Sequence, residues 1–168
     1  MTILKTLTGR DNPILRAKSK PVSRVTREIN TLIEDMKQTM ARKHGVGLAA
    51  PQIGQNIRVV LIALQKSKTI GEDFRVVPMI NPEIMNFSSE TWIVEEGCLS
   101  LPGLFVPVER SRKVTVRYLD EKGHEKIIAL ENINARIIQH EVDHLDGILI
   151  VDRVKKLEKV SDEEGMAI

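Results

Sequence analysis

Residues 140–144 read His-Glu-Val-Asp-His, and this pentapeptide constrains the chain more than any other feature. Around it, Glu131 to Leu145 carries a helical pattern closed by Gly147, a residue suited to a left-handed C-cap. On a helix His140 and His144 stand one turn apart, with Glu141 beside them. Ile133 and Ile137 extend the same stripe toward the N-terminus and predict that it faces a core. Two imidazoles and a carboxylate are costly to bury without partners. One metal ion would serve both rings, with Glu141 placed as a general base toward water. The alternative is a pair of core histidines hydrogen-bonded to their neighbours. Two of the chain's four histidines in one turn, with Glu between them, favour the metal.

A catalytic metal of this kind takes three protein ligands and keeps one position open. Common H-E-x-x-H peptidases take the third ligand downstream. Here residues 145–168 contain no His and only scattered acids, and Asp146 is too close on the helix to complete the site. The only cysteine, Cys98, lies upstream in Glu95-Glu96-Gly97-Cys98-Leu99-Ser100. A lone cysteine is by itself an ordinary core residue. Beside H-E-x-x-H with no downstream donor it becomes the best third ligand. A thiolate with two imidazoles suits zinc or iron(II).

The remaining sequence bounds the fold. Its 168 residues make one domain, with 42% apolar residues to bury; aromatics are only 3%, so the core must be aliphatic. One cysteine excludes an intrachain disulfide framework and fits a reducing compartment. A net charge of +2 is too small to argue for nucleic acid. The longest strongly apolar run, Val59–Leu64, falls far short of the roughly 20 residues of a spanning helix. The N-terminus carries no signal-peptide pattern. The expectation is a cytoplasmic protein with no membrane and no specific nucleic-acid partner.

Residues 11–22, with Pro13 and Pro21, read as an extended lead-in. From about Ser23, the spacing of Val25, Ile29, Leu32, Ile33, Met36 and Met40 predicts a helix, capped by Ser23 or Thr26 and ended by Gly45. Val59–Leu64 and Val76–Ile80 read as strands. Lys113–Asp120 alternates and, across Glu121-Lys122-Gly123, pairs with Ile127–Leu130 as a hairpin. Ile148–Val151 reads as a last short strand, and 153–168 as a short or frayed tail. This order predicts an α+β domain, with antiparallel or mixed sheets around a central helix carrying the H-E-x-x-H motif. Residues 45–54, Gly-Val-Gly-Leu-Ala-Ala-Pro-Gln-Ile-Gly, lack the Lys-Ser/Thr of a P-loop. Their small side chains admit a close backbone approach. Gln52 is either an amide donor to a ligand or a surface residue on a tight connector.

Three segments together resemble the peptide deformylase family, which is marked by G-φ-G-φ-A-A-x-Q, E-G-C-φ-S and H-E-φ-D-H-φ-x-G (φ apolar) in this order. Here they stand as Gly45–Gln52, Glu96–Ser100 and His140–Gly147. The resemblance runs over about residues 5–152 and implies one catalytic domain that removes the N-formyl group of the initiator methionine, releasing formate. It implies Cys98, His140 and His144 as ligands of one divalent metal ion. Iron(II) would be native, with zinc, nickel or cobalt able to occupy the site. It implies Glu141 as the acid/base, and the Gln52 amide and Leu99 N–H as oxyanion donors. Val46, Val94, Ile133 and Ile137 would line a methionine pocket, and the backbones of Gly47 and Gly97 would pair with the extended peptide. Phe105 stands where some members carry an Arg. The implied partners are N-formylmethionyl nascent peptides. The seven Lys/Arg among residues 1–30 are either a solvated basic face or a weak docking surface for the ribosome. Two further readings stand beside this one: an H-E-x-x-H metallopeptidase, and a catalytically inactive deformylase-like metal-binding domain.

Overall fold

Val59 to Ala63 are buried at every position, which demands cover on both faces of the strand they form. The computed structural model, which describes residues 3–65 and 74–154, supplies that cover. β2 (Val59–Gln65) lies between β1 (Gly47–Ala49) and β3 (Phe74–Phe87), and the sheet continues with β6 (Lys113–Leu119) and β7 (Glu125–Glu131). All four pairings are antiparallel. Side chains alternate along a strand. Val60 and Ile62 meet Ile137, Ile138 and Leu145 of α3 (Asn132–Leu145), together with Met79 and Val116. Val59 and Leu61 meet Ile33, Met36 and Met40 of α2 (Arg27–Arg42) on the other face. The sheet is thus sandwiched between two helices, in the α+β class that the element order predicts.

The β6–β7 hairpin runs in register from Lys113↔Glu131 to Leu119↔Glu125, as the alternation requires. α2 starts later than Ser23. Thr26 occupies its N-cap position, without a side-chain cap hydrogen bond. At its end His44, not Gly45, takes the left-handed conformation (φ 54°), and Gly45 N–H donates to Met40 O at 3.0 Å. This closing motif satisfies the last carbonyls of the helix.

Three local expectations are corrected. Within the extended lead-in, Pro13–Arg16 is a one-turn helix, α1. Asn12 Oδ1 accepts from Ile14 N–H at 3.0 Å, and Pro13 occupies the first turn, where its missing N–H costs nothing. The expected strand Ile148–Val151 is instead the start of α4 (Ile150–Arg153), because Asp152 reaches back to accept from Leu149 N–H at 2.8 Å. Residues 45–54 are not a bare connector but β1 followed by a 3-10 turn, Ala50–Ile53. Of the tail expected from 153 onward, only Arg153 and Val154 fall among the described residues.

A second sheet, β4 (Thr91–Cys98) with β5 (Leu101–Ser111), went unread in the sequence because Pro102, Gly103 and Pro107 look like loop. A two-stranded sheet leaves one side of each strand unpaired, where proline costs no ladder hydrogen bond. Leu101 and Val108 of this hairpin pack with Leu15, Leu149 and Ile150, and Cys98 lies against the same cluster. That packing holds the hairpin tip beside α3. Among the described residues, no helix is long and apolar enough to cross a membrane.

Candidate active site

α3 and the β4–β5 tip bring three soft donors together. One ligand atom each from Cys98, His140 and His144 lies within 4.8 Å of the others. Cys98 Sγ is 3.2 Å from His144 Nε2, and the two imidazole centroids are 5.0 Å apart. His140 Nδ1 meets Glu96 Oε2 at 3.0 Å, which frees its other nitrogen for a ligand. Burial lowers the His140 pKa, but hydrogen bonds to Cys98 and Glu96 and the charge of Glu141 outweigh burial and push it up to about 10. His144 goes the other way: burial and the charges of His140 and Arg110 push it well below its ordinary value, which keeps its ring neutral. Two imidazoles and a cysteine sulfur are the soft donors that zinc and iron(II) prefer. The residues therefore fit a zinc- or iron-type ion.

Glu141, 4% exposed, stands beside these donors. Burial pushes its carboxyl up to about 7, and Oε2 has no hydrogen-bond partner. A carboxyl near neutrality can both take and return a proton at physiological pH. Gly47 makes room for it: a Cβ there would lie 2.1 Å from Glu141 Oε1.

A cleft of about 630 Å³ opens over this group. Val46, Gly47 and Gln52 line it from the β1 side, and Val94, Gly97, Cys98 and Leu99 from the hairpin. Ile133, Ile137, His140 and Glu141 line it from α3, while His144 is the member of the predicted set that lies beneath its lining. Gln52 is not a surface residue. It is 2% exposed, its Oε1 accepts from Ala49 N–H at 2.9 Å, and its Nε2 donates to Ser100 Oγ at 3.2 Å and faces Cys98 Sγ at 3.8 Å. The Ala49 bond thus fixes the amide with its NH₂ toward the donors. Phe105 packs over Gly97, where a Cβ would come within 2.7 Å of the ring, and lies exposed at the rim.

The sequence reading missed a buried ionic group behind the site. Arg110 and Arg136 both donate to Glu96, at 2.6 to 3.0 Å. Burial raises the Glu96 pKa, but hydrogen bonds from His140 and Arg110 outweigh it and hold it down to about 2. Arg136 had a signal: it lies three residues after Ile133 and four before His140, a charge inside an otherwise apolar stripe. Arg110 had none.

A helix-borne H-E-x-x-H beside a cysteine, set in a cleft between an α/β layer and a hairpin, defines a metal-dependent hydrolase class. Comparison with known proteins narrows it. The profile of the polypeptide deformylase family matches residues 4–160. A peptide deformylase of Pseudothermotoga lettingae is 45% identical over 85% of this chain and 78% of its own, and one of Caldanaerobacter subterraneus 44% over 92% of each. The crystal structure of peptide deformylase from Thermotoga maritima superposes with a TM-score of 0.84 at 39% identity, covering 92% of this chain and 99% of that one. A Met-Ala-Ser-bound structure of the Acinetobacter baumannii class I type b enzyme gives 0.85 at 39%, over 91% of this chain and 99% of that one. The chain belongs to the polypeptide deformylase family, enzymes that remove the N-formyl group from nascent peptides.

Proposed function

We propose that Cys98, His140 and His144 hold one divalent ion, natively iron(II), with zinc, nickel or cobalt as substitutes. The convergence of their donor atoms within 4.8 Å, beside a buried carboxyl with a free oxygen, supports this reading. When bound, such an ion acidifies water and polarises the formyl carbonyl. Glu141 takes the proton of the attacking water and returns it to the methionyl nitrogen as the formyl C–N bond breaks. Gln52 Nε2 and the Leu99 N–H donate to the formyl oxygen as negative charge develops there. Formate and a free α-amine leave. Val46, Val94, Ile133 and Ile137 take the methionine side chain, and the backbones of Gly47 and Gly97 pair with the peptide. The substrates are N-formylmethionyl nascent chains in the cytoplasm.

The test is formate release from formyl-Met-Ala-Ser by protein prepared without oxygen, with metal analysis and reloading by each ion. We expect the highest turnover with iron(II). A full metal site with no formate release would overturn the mechanism, and casein cleavage in its place would favour the metallopeptidase reading. The unpaired Glu141 Oε2 in the cleft weighs against an inactive metal-binding domain.

A further inference from the structure

The ion pairs behind the site form one continuous chain of contacts. Glu96 of β4 accepts from His140 Nδ1 at 3.0 Å, and from Arg110 through Nε at 3.0 Å and Nη2 at 2.9 Å. Arg110 of β5, 5% exposed, turns its remaining nitrogen, Nη1, to Asp143 Oδ2. Asp143, three residues after His140 on α3, also accepts from Arg153 of α4, through Nε at 3.0 Å and through Nη2. Arg153 is where the chain reaches solvent. Its side chain is 44% exposed, in a second cleft of about 650 Å³ along another side of α3.

A planar guanidinium meets two carboxylates in few orientations. The Nε/Nη2 fork meets both oxygens of Glu96, Arg136 Nη1 adds a bond to Oε1 at 2.6 Å, and the plane so held sets where His140 Nδ1–H is met. A neutral ring that keeps its proton on Nδ1 presents the Nε2 lone pair, the nitrogen left to ligate. The set is then oriented before any ion arrives. Stability alone gives little reason for this arrangement, because well-packed apolar residues often replace buried ion pairs without loss.

We propose that Arg110 is a positioning residue for the metal centre, aligning Glu96 on His140, and that Asp143 and Arg153 hold Arg110 in that alignment. This rests on His140 being a metal ligand.

The test uses the whole chain and cobalt(II): its dissociation constant by chelator competition, the visible spectrum of the loaded protein, and the melting of the metal-free protein. Arg110→Lys keeps the charge but cannot make the fork. We expect cobalt binding weakened about 10–100-fold, with a changed spectrum. Arg153→Gln, at the exposed end, keeps the fold and weakens cobalt binding about three- to ten-fold. Arg58→Gln is the control. Arg58 lines the same second cleft but pairs with Asp146 at 2.7 Å, outside the chain of contacts, so its loss leaves cobalt affinity unchanged. In a Glu96→Gln background, Arg110→Lys adds no further loss. Should Arg110→Lys fail to fold, Arg153→Gln decides. Cobalt bound as tightly by the Arg110 and Arg153 variants as by the parent would overturn the proposal, whatever their melting temperatures. A parent chain that takes up no cobalt would overturn the ligand assignment, and this inference with it.

Discussion

A methyl group added at Gly47 would arrive 2.1 Å from Glu141 Oε1 and 2.7 Å from its Cδ. Ordinary van der Waals contact begins at 3.4 Å, so a shortfall of more than 1 Å must be absorbed. β1 cannot retreat, because Gly47, Leu48 and Ala49 pair with Ile62, Leu61 and Val60 of the central strand. The backbone of Glu141 is fixed within α3. The carboxylate must therefore swing, and the open direction is the cleft. Misplacing a reacting group by about 1 Å costs on the order of 100-fold, or about 2.7 kcal/mol of barrier. The fold loses little, since a flexible side-chain end yields; we expect a stability change within about 1 kcal/mol. The assay is formate release from formyl-Met-Ala-Ser by Gly47→Ala, with metal content measured on the same samples. The expected result is a kcat lowered about 100-fold at unchanged metal content, because the added methyl's nearest contacts are atoms of Glu141 and not of the donors. A kcat within about three-fold of the parent would refute the reasoning that Glu141 works from the place Gly47 leaves open.

Four further outcomes are expected. Glu141→Ala keeps its metal by elemental analysis and loses about 100- to 10,000-fold in turnover, the usual worth of a positioned acid/base. Gln52→Ala lowers kcat about 100- to 1,000-fold, read by the same formate assay, as loss of one oxyanion donor does. Cys98→Ser purifies with less bound metal and releases it faster to a chelator; unchanged content would refute ligation. Gly147→Ala lowers stability by at least about 2 kcal/mol in denaturant titration, because Gly147 has φ +73° and a Cβ there would lie 2.3 Å from the Arg16 carbonyl oxygen.

Helical phase is local, and so the stripe of Ile133, Ile137, His140, Glu141 and His144 was legible without coordinates. The same holds for the continuous apolar run of β2 and the alternation of β6. Each reports its own burial through its spacing. Short segments were less legible. Ile148–Val151 has strand-forming residues, yet one side chain, Asp152, turns that stretch into a helix start. β5 carries two prolines and a glycine and pairs all the same, because its partner is a lone strand that leaves one side free.

Contacts between distant segments were the least legible. Cys98 could be nominated as a donor by its rarity. Its approach to within 3.2 Å of His144 depends on Leu101 and Val108 packing against Leu15 and Leu149, a cluster drawn from three separate stretches of chain. Gln52 was open between a buried amide and a surface residue until the 3-10 turn placed Ala49 N–H against its oxygen. Arg110 has no partner that sequence spacing would suggest; strand pairing and the face of α3 set it between Glu96 and Asp143. Periodicity is a property of consecutive residues, whereas a charge or a ligand finds its partner only where the folded topology sets them side by side.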